Sequence, residues 1–261
     1  MRDDLSLLDR FDGAAQHSAV VMALVSGMKR LDVFEVIRYL AVNGHVEGRR
    51  AAVAALPHYN GDQANQLVVQ ALDDADPQVQ ATALAQLRQR GIPNAMSRTI
   101  ASLDSPHEVV QQAARTSLSD FRFDRFLRSF EVLDDASLAA TGRLVLKVDA
   151  QSVPALAEEM KARSRTRRLR AIGVSVAMSL VARFESQLIE LLSDEDHMVC
   201  HEAALALGEH ESPAVRAALT DALDDQSVAV QEAATESLRR LDSLRAVVAN
   251  NPPNDPEGTL P

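Results

Sequence analysis

One arrangement of small, apolar and polar positions recurs along almost the whole chain. A run of small residues followed by leucine ends at Leu56, Leu87, Leu118, Leu207 and Leu238, and two weaker copies end at Leu144 and Val176. The successive end positions are 31, 31, 26, 32, 31 and 31 residues apart. A fixed period of this length is typical of repeat proteins, so the pattern predicts about seven units.

Each unit is predicted to contain two helices. The first has apolar residues at helical spacing, as at Leu188, Ile189 and Leu192, and it ends in an acidic turn before an alanine-rich second helix. Asp76 and Ser105 each stand directly before a proline, which predicts an N-cap followed by proline at the first helical position. Carboxylates there face the positive end of the helix dipole, so much of the net charge of −10 is predicted to cap helices.

These units predict the fold class: all-α, an α-α superhelix (solenoid) of about seven two-helix repeats over residues 33–241. A hairpin of ~30 residues cannot bury its apolar face alone, so successive hairpins must stack. Residues 1–32 lack the repeat signature, and we expect a capping helix there, built on residues 19–25. Residues 242–261 are expected to form a short C-terminal helix up to Asn250 and then a tail too poor in apolar surface to order itself.

Composition narrows the class further. Aromatic residues make up 3% of the chain and tryptophan is absent, which disfavours β-sandwiches and barrels. The single cysteine, Cys200, excludes an intramolecular disulfide framework and favours a reducing compartment. The apolar run at residues 19–25 is far shorter than the ~20 residues that span a bilayer, so we expect no membrane segment and no signal peptide. Arginine outnumbers lysine 24 to 3, which favours a GC-rich bacterial genome.

The pattern of acidic turn, valine, small residues and leucine resembles the bacterial HEAT-like repeats, also called lyase-type HEAT repeats. Residues 79–87 and 199–208 match it best, and the resemblance covers roughly residues 33–241. It implies that the second helices line the concave face. Polar, non-acidic residues recur just after the acidic turns and are expected to make this groove neutral to basic: Arg49, Gln80, Gln111, Arg170, His201 and Gln231. Arg49 and His201 are candidate partner contacts.

Related families offer competing functions. Deoxyhypusine hydroxylase resembles the chain and holds two irons with four His-Glu pairs on successive second helices, but only His201-Glu202 stands at such a position. One pair is too few ligands, so we predict no metal and no cofactor. The bilin lyases also resemble the chain in their repeats, but that family has no short motif whose residues can be matched to positions in this sequence. HEAT-like DNA glycosylases imply a basic, aromatic surface, whereas this chain is acidic and lacks tryptophan.

A basic segment breaks the repeat pattern. Residues 161–170 contain six lysines and arginines in ten positions, where the other units have an acidic turn. Cations near a helix N-terminus cost ~0.3–1 kcal/mol each, so helix stability does not explain them. We predict that they bind an acidic segment of another protein, through Arg163, Arg165, Arg167, Arg168 and Arg170. The alternative is a solvated turn balanced by Glu158, Glu159 and neighbouring acidic turns.

Two further features have a structural and a functional interpretation. Residues 121–130 hold four of the seven phenylalanines. Phe123, Phe126, Leu127 and Phe130 follow a helical stripe, which favours a position in the hydrophobic core over base stacking.

Cys200 lies early in a helix beside His201, as an activated thiol would, but the interpretation as a semi-exposed free cysteine is favoured.

The sequence therefore predicts a non-catalytic protein-protein interaction scaffold or adaptor in the bacterial cytoplasm. Its partner is expected to be another protein, through an acidic segment. Nucleic acid is disfavoured because the basic segment spans one hairpin between acidic turns. The alternatives are a HEAT-fold enzyme of the bilin-lyase or deoxyhypusine-hydroxylase-like kind and a nucleic-acid-binding HEAT protein, and the oligomeric state is left open.

Overall fold

The computed structural model describes residues 5–250, and its regular secondary structure within that range is helical. The α-helices are α1 (Gly13–Val25), α2 (Arg30–Asn43), α3 (Val46–Ala55), α4 (Asp62–Ala71), α5 (Pro77–Leu84), α6 (Ala95–Ala101), α7 (Glu108–Ser117), α8 (Phe123–Ser129), α9 (Asp135–Val148), α10 (Ser152–Met160), α11 (Arg165–Ala177), α12 (Glu185–Leu191), α13 (His197–Leu207), α14 (Pro213–Asp221) and α15 (Val228–Asn250). Short 3-10 segments lie at Leu5–Arg10, Leu56–His58, Ser102–Asp104, Ser119–Phe121, Val181–Phe184 and Ala222–Asp224. The all-α class predicted from the sequence is confirmed.

The helices from α2 to α15 pair as seven consecutive hairpins, and the two helices of each pair contact each other. This agrees with the predicted number of repeats. The separate C-terminal helix expected after residue 241 is instead the continuation of α15, which runs unbroken to Asn250. The expected disordered tail at residues 251–261 lies outside the described residues.

The first compact unit ends at Asp120. Its second helices, α3, α5 and α7, stack on one another, and α1 stacks on α3 in the same way. The capping segment predicted from residues 19–25 therefore lies within α1, in the place of a second helix. The core between the helices holds fully buried side chains such as Ile37, Leu40 and Leu84. Among the described residues, no helix is both long and apolar enough to cross a bilayer.

The second compact unit begins at Phe121, where the repeat shortens to 26 residues. Here α9, α11, α13 and α15 stack in order, while α12 contacts α14. The hydrophobic core includes Phe126, Leu156, Ile172, Leu188 and Leu207. Each unit thus has a layer of stacked second helices, and this layer supplies the surfaces considered below.

The leucines that end the strong sequence copies lie in the core in most repeats. Leu56, Leu87, Leu118 and Leu207 are buried, and Leu238 is half-buried. The weak copy differs from these, because Val176 is 37% exposed. In that repeat Val174 of α11 and Met178, just after it, are buried, so the pattern is out of register there.

The acidic turns cap helices as predicted at Asp76, whose carboxylate accepts a hydrogen bond from Val79 N–H at 3.1 Å, with Pro77 as the first helical residue. Asp134 and Asp196 cap α9 and α13 in the same manner. The prediction for Ser105 is wrong: α7 begins at Glu108, and the Ser105 hydroxyl accepts from His107 N–H at 3.3 Å within the preceding turn. Pro106 belongs to that turn and not to the helix.

Candidate functional site

One side chain in each of six hairpins donates a hydrogen bond back to the turn before its own second helix. The donor and acceptor are usually six residues apart, as for Gln80 Nε2 and the Asp74 carbonyl at 2.6 Å. The six turn-closing donors are Arg49, Gln80, Gln111, Arg168, Cys200 and Gln231. Four of them, Arg49 and the three glutamines, were expected to present polar groups to a groove. Their side-chain N–H groups instead donate to backbone carbonyls of the turns, which do not take part in helical hydrogen bonds.

Replacing Gln80 by methionine is expected to lower the free energy of unfolding by about 1 kcal/mol, because the Asp74 carbonyl loses its donor in a partly buried turn. Urea denaturation followed by circular dichroism measures the change. Gln78→Met is the matched control, since Gln78 is exposed in the same helix, and it should change stability by less than about 0.5 kcal/mol. Equal effects of the two substitutions would refute the role of the turn-closing donor.

Two arginines of α3 reach the acidic turn of the next repeat. Arg49 binds both carboxylate oxygens of Asp74 at 2.7 and 2.9 Å, and Arg50 binds both of Asp76 at 2.8 and 2.6 Å. Bidentate pairs of this kind fix orientation as well as charge. Arg49, a predicted partner contact, is thus a structural residue that joins two repeats.

The Arg50 hydrogen bonds hold the pKa of the Asp76 carboxyl below its ordinary value, assisted by the N–H of Val79. A lowered folded-state pKa means that this carboxylate stabilises the protein above its unfolded-state pKa of ~3.9 and that the contribution disappears as pH falls through the folded-state value. Asp76→Asn keeps a capping side chain but removes the charge. We expect it to cost about 1 kcal/mol at neutral pH, and the difference from wild type should shrink as pH falls below the unfolded-state value of ~3.9. Urea titrations across this range test the sign, and a gap that widens in acid would contradict it.

Arg168 does not lie on the surface. Its side chain is 7% exposed, and its guanidinium binds the Asp194 carboxylate at 2.8 Å and the carbonyls of Ala162 and Arg163 at 2.9 Å. Asp194 belongs to the turn of the next repeat, so this pair is the counterpart of Arg49 with Asp74. The expectation that Arg168 is an exposed partner contact is therefore wrong.

The exposed arginines of the same segment have acidic neighbours. Arg165 lies 3.1 Å from Asp196, and Arg167 binds Glu159 at 2.8 and 2.9 Å, which lowers the pKa of the Glu159 carboxyl. Arg170 is 3.7 Å from the same Glu159. The structure thus shows much of the charge balance that the alternative interpretation described, and partner binding by these three arginines stays a prediction.

A cleft of about 620 Å³ opens beside the buried arginine. It brings together Arg163 and Arg168 of the predicted site, while Arg165, Arg167 and Arg170 do not line it. Its charged lining is mixed: Lys161, Arg163, Arg168, Glu190, Asp194 and Glu195. The balance of three cations and three carboxylates does not select a strongly acidic ligand.

The two residues considered for chemistry, Cys200 and His201, differ in exposure. Cys200 is 5% exposed, which corrects the expected semi-exposed position, and burial raises the pKa of its thiol. His201 is partly exposed and its Nδ1 lies 3.2 Å from a Glu202 carboxylate oxygen. Across residues 5–250, no group of three or more His, Cys, Asp or Glu side chains is placed to hold a metal ion.

The phenylalanine stripe lies in the core, as expected. Phe123 and Phe126 are buried, Leu127 and Phe130 pack against the same core, and the rings of Phe126 and Phe130 meet edge to face at 6.3 Å. Such pairs favour core packing. The two buried rings, Phe123 and Phe126, are therefore not available for base stacking.

A groove of about 580 Å³ lies on the second helices of the second unit. Its lining includes three small residues on α11 and α13, which are Gly173, Ala177 and Ala206. Larger apolar side chains complete the floor. The apolar floor residues are Leu138, Ala139, Ile172, Gly173, Val176, Ala177, Leu205 and Ala206. An exposed apolar groove on rigid helices is a surface that suits a partner segment.

The rim of this second-helix groove is acidic. Asp135 lies at the start of α9, and Glu202 and Glu209 lie along and just after α13. Arg240 is the only cation among the residues that line the groove, and Glu209 binds it at 2.7 Å. The groove expected from the sequence was neutral to basic and built from other positions, so that expectation stays a prediction.

Sequence reasoning missed this groove, although a signal for it was present. Gly173 and Ala177 flank Val176 on α11, and an exposed valine between small residues is what a shallow apolar groove requires. The sequence analysis used Val176 only to mark the end of a weak repeat copy, so this signal was not used. His201, a predicted contact, lies beside the rim residue Glu202 but does not line the groove.

Stacked two-helix units with a period of about 31 residues place the protein in the class of α-helical repeat proteins. The chain belongs to the HEAT repeats family, which it matches over residues 35–119 and 153–239. This confirms the HEAT-like repeat type predicted from the sequence. The stretch between the two matches contains the phenylalanine stripe and the shortened repeat.

Several solved structures are similar to the chain. A structure of Kap95p binding to RanGDP contains a chain with 14% identity and a TM-score of 0.39, and the similarity covers 88% of this chain and 38% of that one. Human deoxyhypusine hydroxylase in complex with glycerol has 18% identity, a TM-score of 0.35 and coverage of 88% and 97%. A designed armadillo repeat protein has 17% identity, a TM-score of 0.29 and coverage of 85% and 98%. The comparison with curated proteins found no match. At these TM-scores the likenesses carry no argument about function, and the assignment rests on the family match.

Proposed function

We propose that the protein is a non-catalytic scaffold or adaptor that binds another protein through its second-helix groove. The groove itself carries the proposal: three successive second helices, α9, α11 and α13, supply the apolar floor of a groove of about 580 Å³. Stacked helices hold such a floor in a fixed shape, which lowers the entropic cost of binding a partner segment. The buried thiol of Cys200 and the lone His201-Glu202 pair support a function without catalysis.

The bacterial cytoplasm is part of the same proposal, supported by the single reduced cysteine and by the excess of arginine over lysine. An acidic partner segment is a second candidate occupant, at Arg163, Arg165, Arg167 and Arg170. The ion pairs of Arg165 with Asp196 and of Arg167 and Arg170 with Glu159 weaken that candidate relative to the groove.

Selection from a displayed peptide library tests the scaffold function. Val176→Trp fills the groove at an exposed position, and Val109→Trp is its matched control, because Val109 is 38% exposed and lies on α7 of the other unit. We expect enriched peptides that bind the wild type and Val109→Trp but bind Val176→Trp at least about tenfold more weakly. The proposal is overturned if no peptide depends on Val176 in this way. Peptides lost instead by Arg165→Glu with Arg167→Glu would assign binding to the arginine segment.

A further inference from the structure

We propose that the occupant of the second-helix groove is a basic, amphipathic segment of a partner protein, with apolar side chains on one face and lysine or arginine beside them. This inference rests on the scaffold function proposed above and adds the chemical class of the partner. It follows from two independent features of one surface, the apolar floor and the carboxylate rim.

The floor selects apolar side chains. Val176 and Leu205 offer aliphatic surface, and Leu138 and Ala177 lie in the same lining. Gly173 lets the ring of Phe130, which also lines the groove, pack against α11, since a Cβ there would lie 3.0 Å from Cζ of Phe130. Apolar contact in such a space gains about 25 cal/mol per Å² removed from water. A segment without apolar side chains would forgo this gain.

The rim selects cations. Asp135, Glu202 and Glu209 line the groove together with Arg240, whose charge is matched by Glu209 at 2.7 Å. Arg143 on α9 and Arg170 on α11 do not line the groove, and Arg170 lies 3.7 Å from Glu159. The lining therefore has a net charge of −2, contributed in effect by Asp135 and Glu202.

The two rim carboxylates lie on different helices, Asp135 on α9 and Glu202 on α13, with the floor residues of α11 between them. Cations on an occupant must therefore flank its apolar face to meet both. An amphipathic helix or turn places side chains in this arrangement. Charges at a rim mainly set association rate and specificity, so an acidic segment of the same shape would be disfavoured and the preference would fall with salt.

Three fluorescent peptides of one length test the inference by anisotropy. The first is an amphipathic peptide of leucine, alanine and lysine, the second has glutamate in place of lysine, and the third keeps lysine but has serine in place of leucine. At low salt we expect wild type to bind the leucine-lysine peptide at least about tenfold more tightly than either of the others. Val176→Trp should lose this binding, and Val109→Trp should keep it.

A charge-reversal pair identifies the rim. Asp135→Lys with Glu202→Lys is expected to reverse the preference toward the leucine-glutamate peptide. Glu108→Lys with Glu158→Lys changes the net charge equally at exposed positions outside the groove and should leave the preference unchanged. Circular dichroism confirms that each variant is folded.

The possible failures of the inference and of the scaffold function are distinct. Preference for the glutamate peptide, or equal loss in both charge-reversal pairs, overturns the basic partner while leaving a groove that binds protein. Peptide binding that survives Val176→Trp also overturns the inference, since the peptide then binds elsewhere. The scaffold function itself fails only if the library selection yields no peptide that depends on Val176.

Discussion

Replacing Arg168 by methionine is expected to lower the free energy of unfolding by about 3 kcal/mol or more. The arginine is buried, and its removal leaves the Asp194 carboxylate, 9% exposed, without its cation. It also leaves the carbonyls of Ala162 and Arg163 without a donor. Thermal and urea denaturation followed by circular dichroism measure the loss.

Arg165→Met is the matched control for that measurement. Arg165 lies in the same helix and also pairs with an aspartate of the next turn, but its side chain is 53% exposed. Exposed pairs contribute 0 to about 1 kcal/mol, so the control should remain close to wild type. If both variants are equally stable, Arg168 is not a structural residue, and the original interpretation of the segment as a binding surface regains support.

Replacing Phe126 by alanine is expected to destabilise the protein by about 3–5 kcal/mol. Phe126 is 2% exposed in the core of the second unit, and its ring meets Phe130. The cavity left by the ring cannot be refilled by stacked helices that are already close-packed. The midpoint of urea denaturation should fall accordingly.

The control for Phe126 is Arg128→Ala two positions later, where the side chain is 70% exposed and pairs only with Asp124 at 2.6 Å. We expect a change within about 0.5 kcal/mol. A stable Phe126→Ala variant that loses affinity for a single-stranded oligonucleotide would instead support the base-stacking interpretation of this segment.

The repeat period made the fold predictable from the sequence. Small residues and buried leucines recur because each hairpin must fit against an equivalent neighbour. The buried leucines at positions such as Leu56, Leu87, Leu118 and Leu207 show this packing requirement in the sequence. The cap at Asp76 was predictable for a similar reason, since an acidic residue before proline acts locally. Where a repeat departs from the average, as at Val176, the residue that ends the sequence copy lies at the surface.

The candidate site was less predictable because it depends on contacts between repeats. Arg168 looked like a surplus cation among residues 161–170, and only the folded chain brings Asp194 to it from 26 residues away. The second-helix groove likewise combines α9, α11, α13 and α15, which no local pattern links. Charge counted along a segment overestimates the charge presented to a partner when the compensating carboxylates come from the next turn.

The turn-closing donors have a consequence for how such repeats diverge. The same place is filled by arginine, glutamine and cysteine, which share little in size or charge but can each direct a hydrogen toward a carbonyl near the start of the second helix. Natural selection at this place can therefore act on a hydrogen-bond donor and leave the amino acid free to change. Repeats related by descent would then look unrelated in an alignment scored by residue identity. An alignment that scores whether this position can donate a hydrogen bond would still detect their relationship.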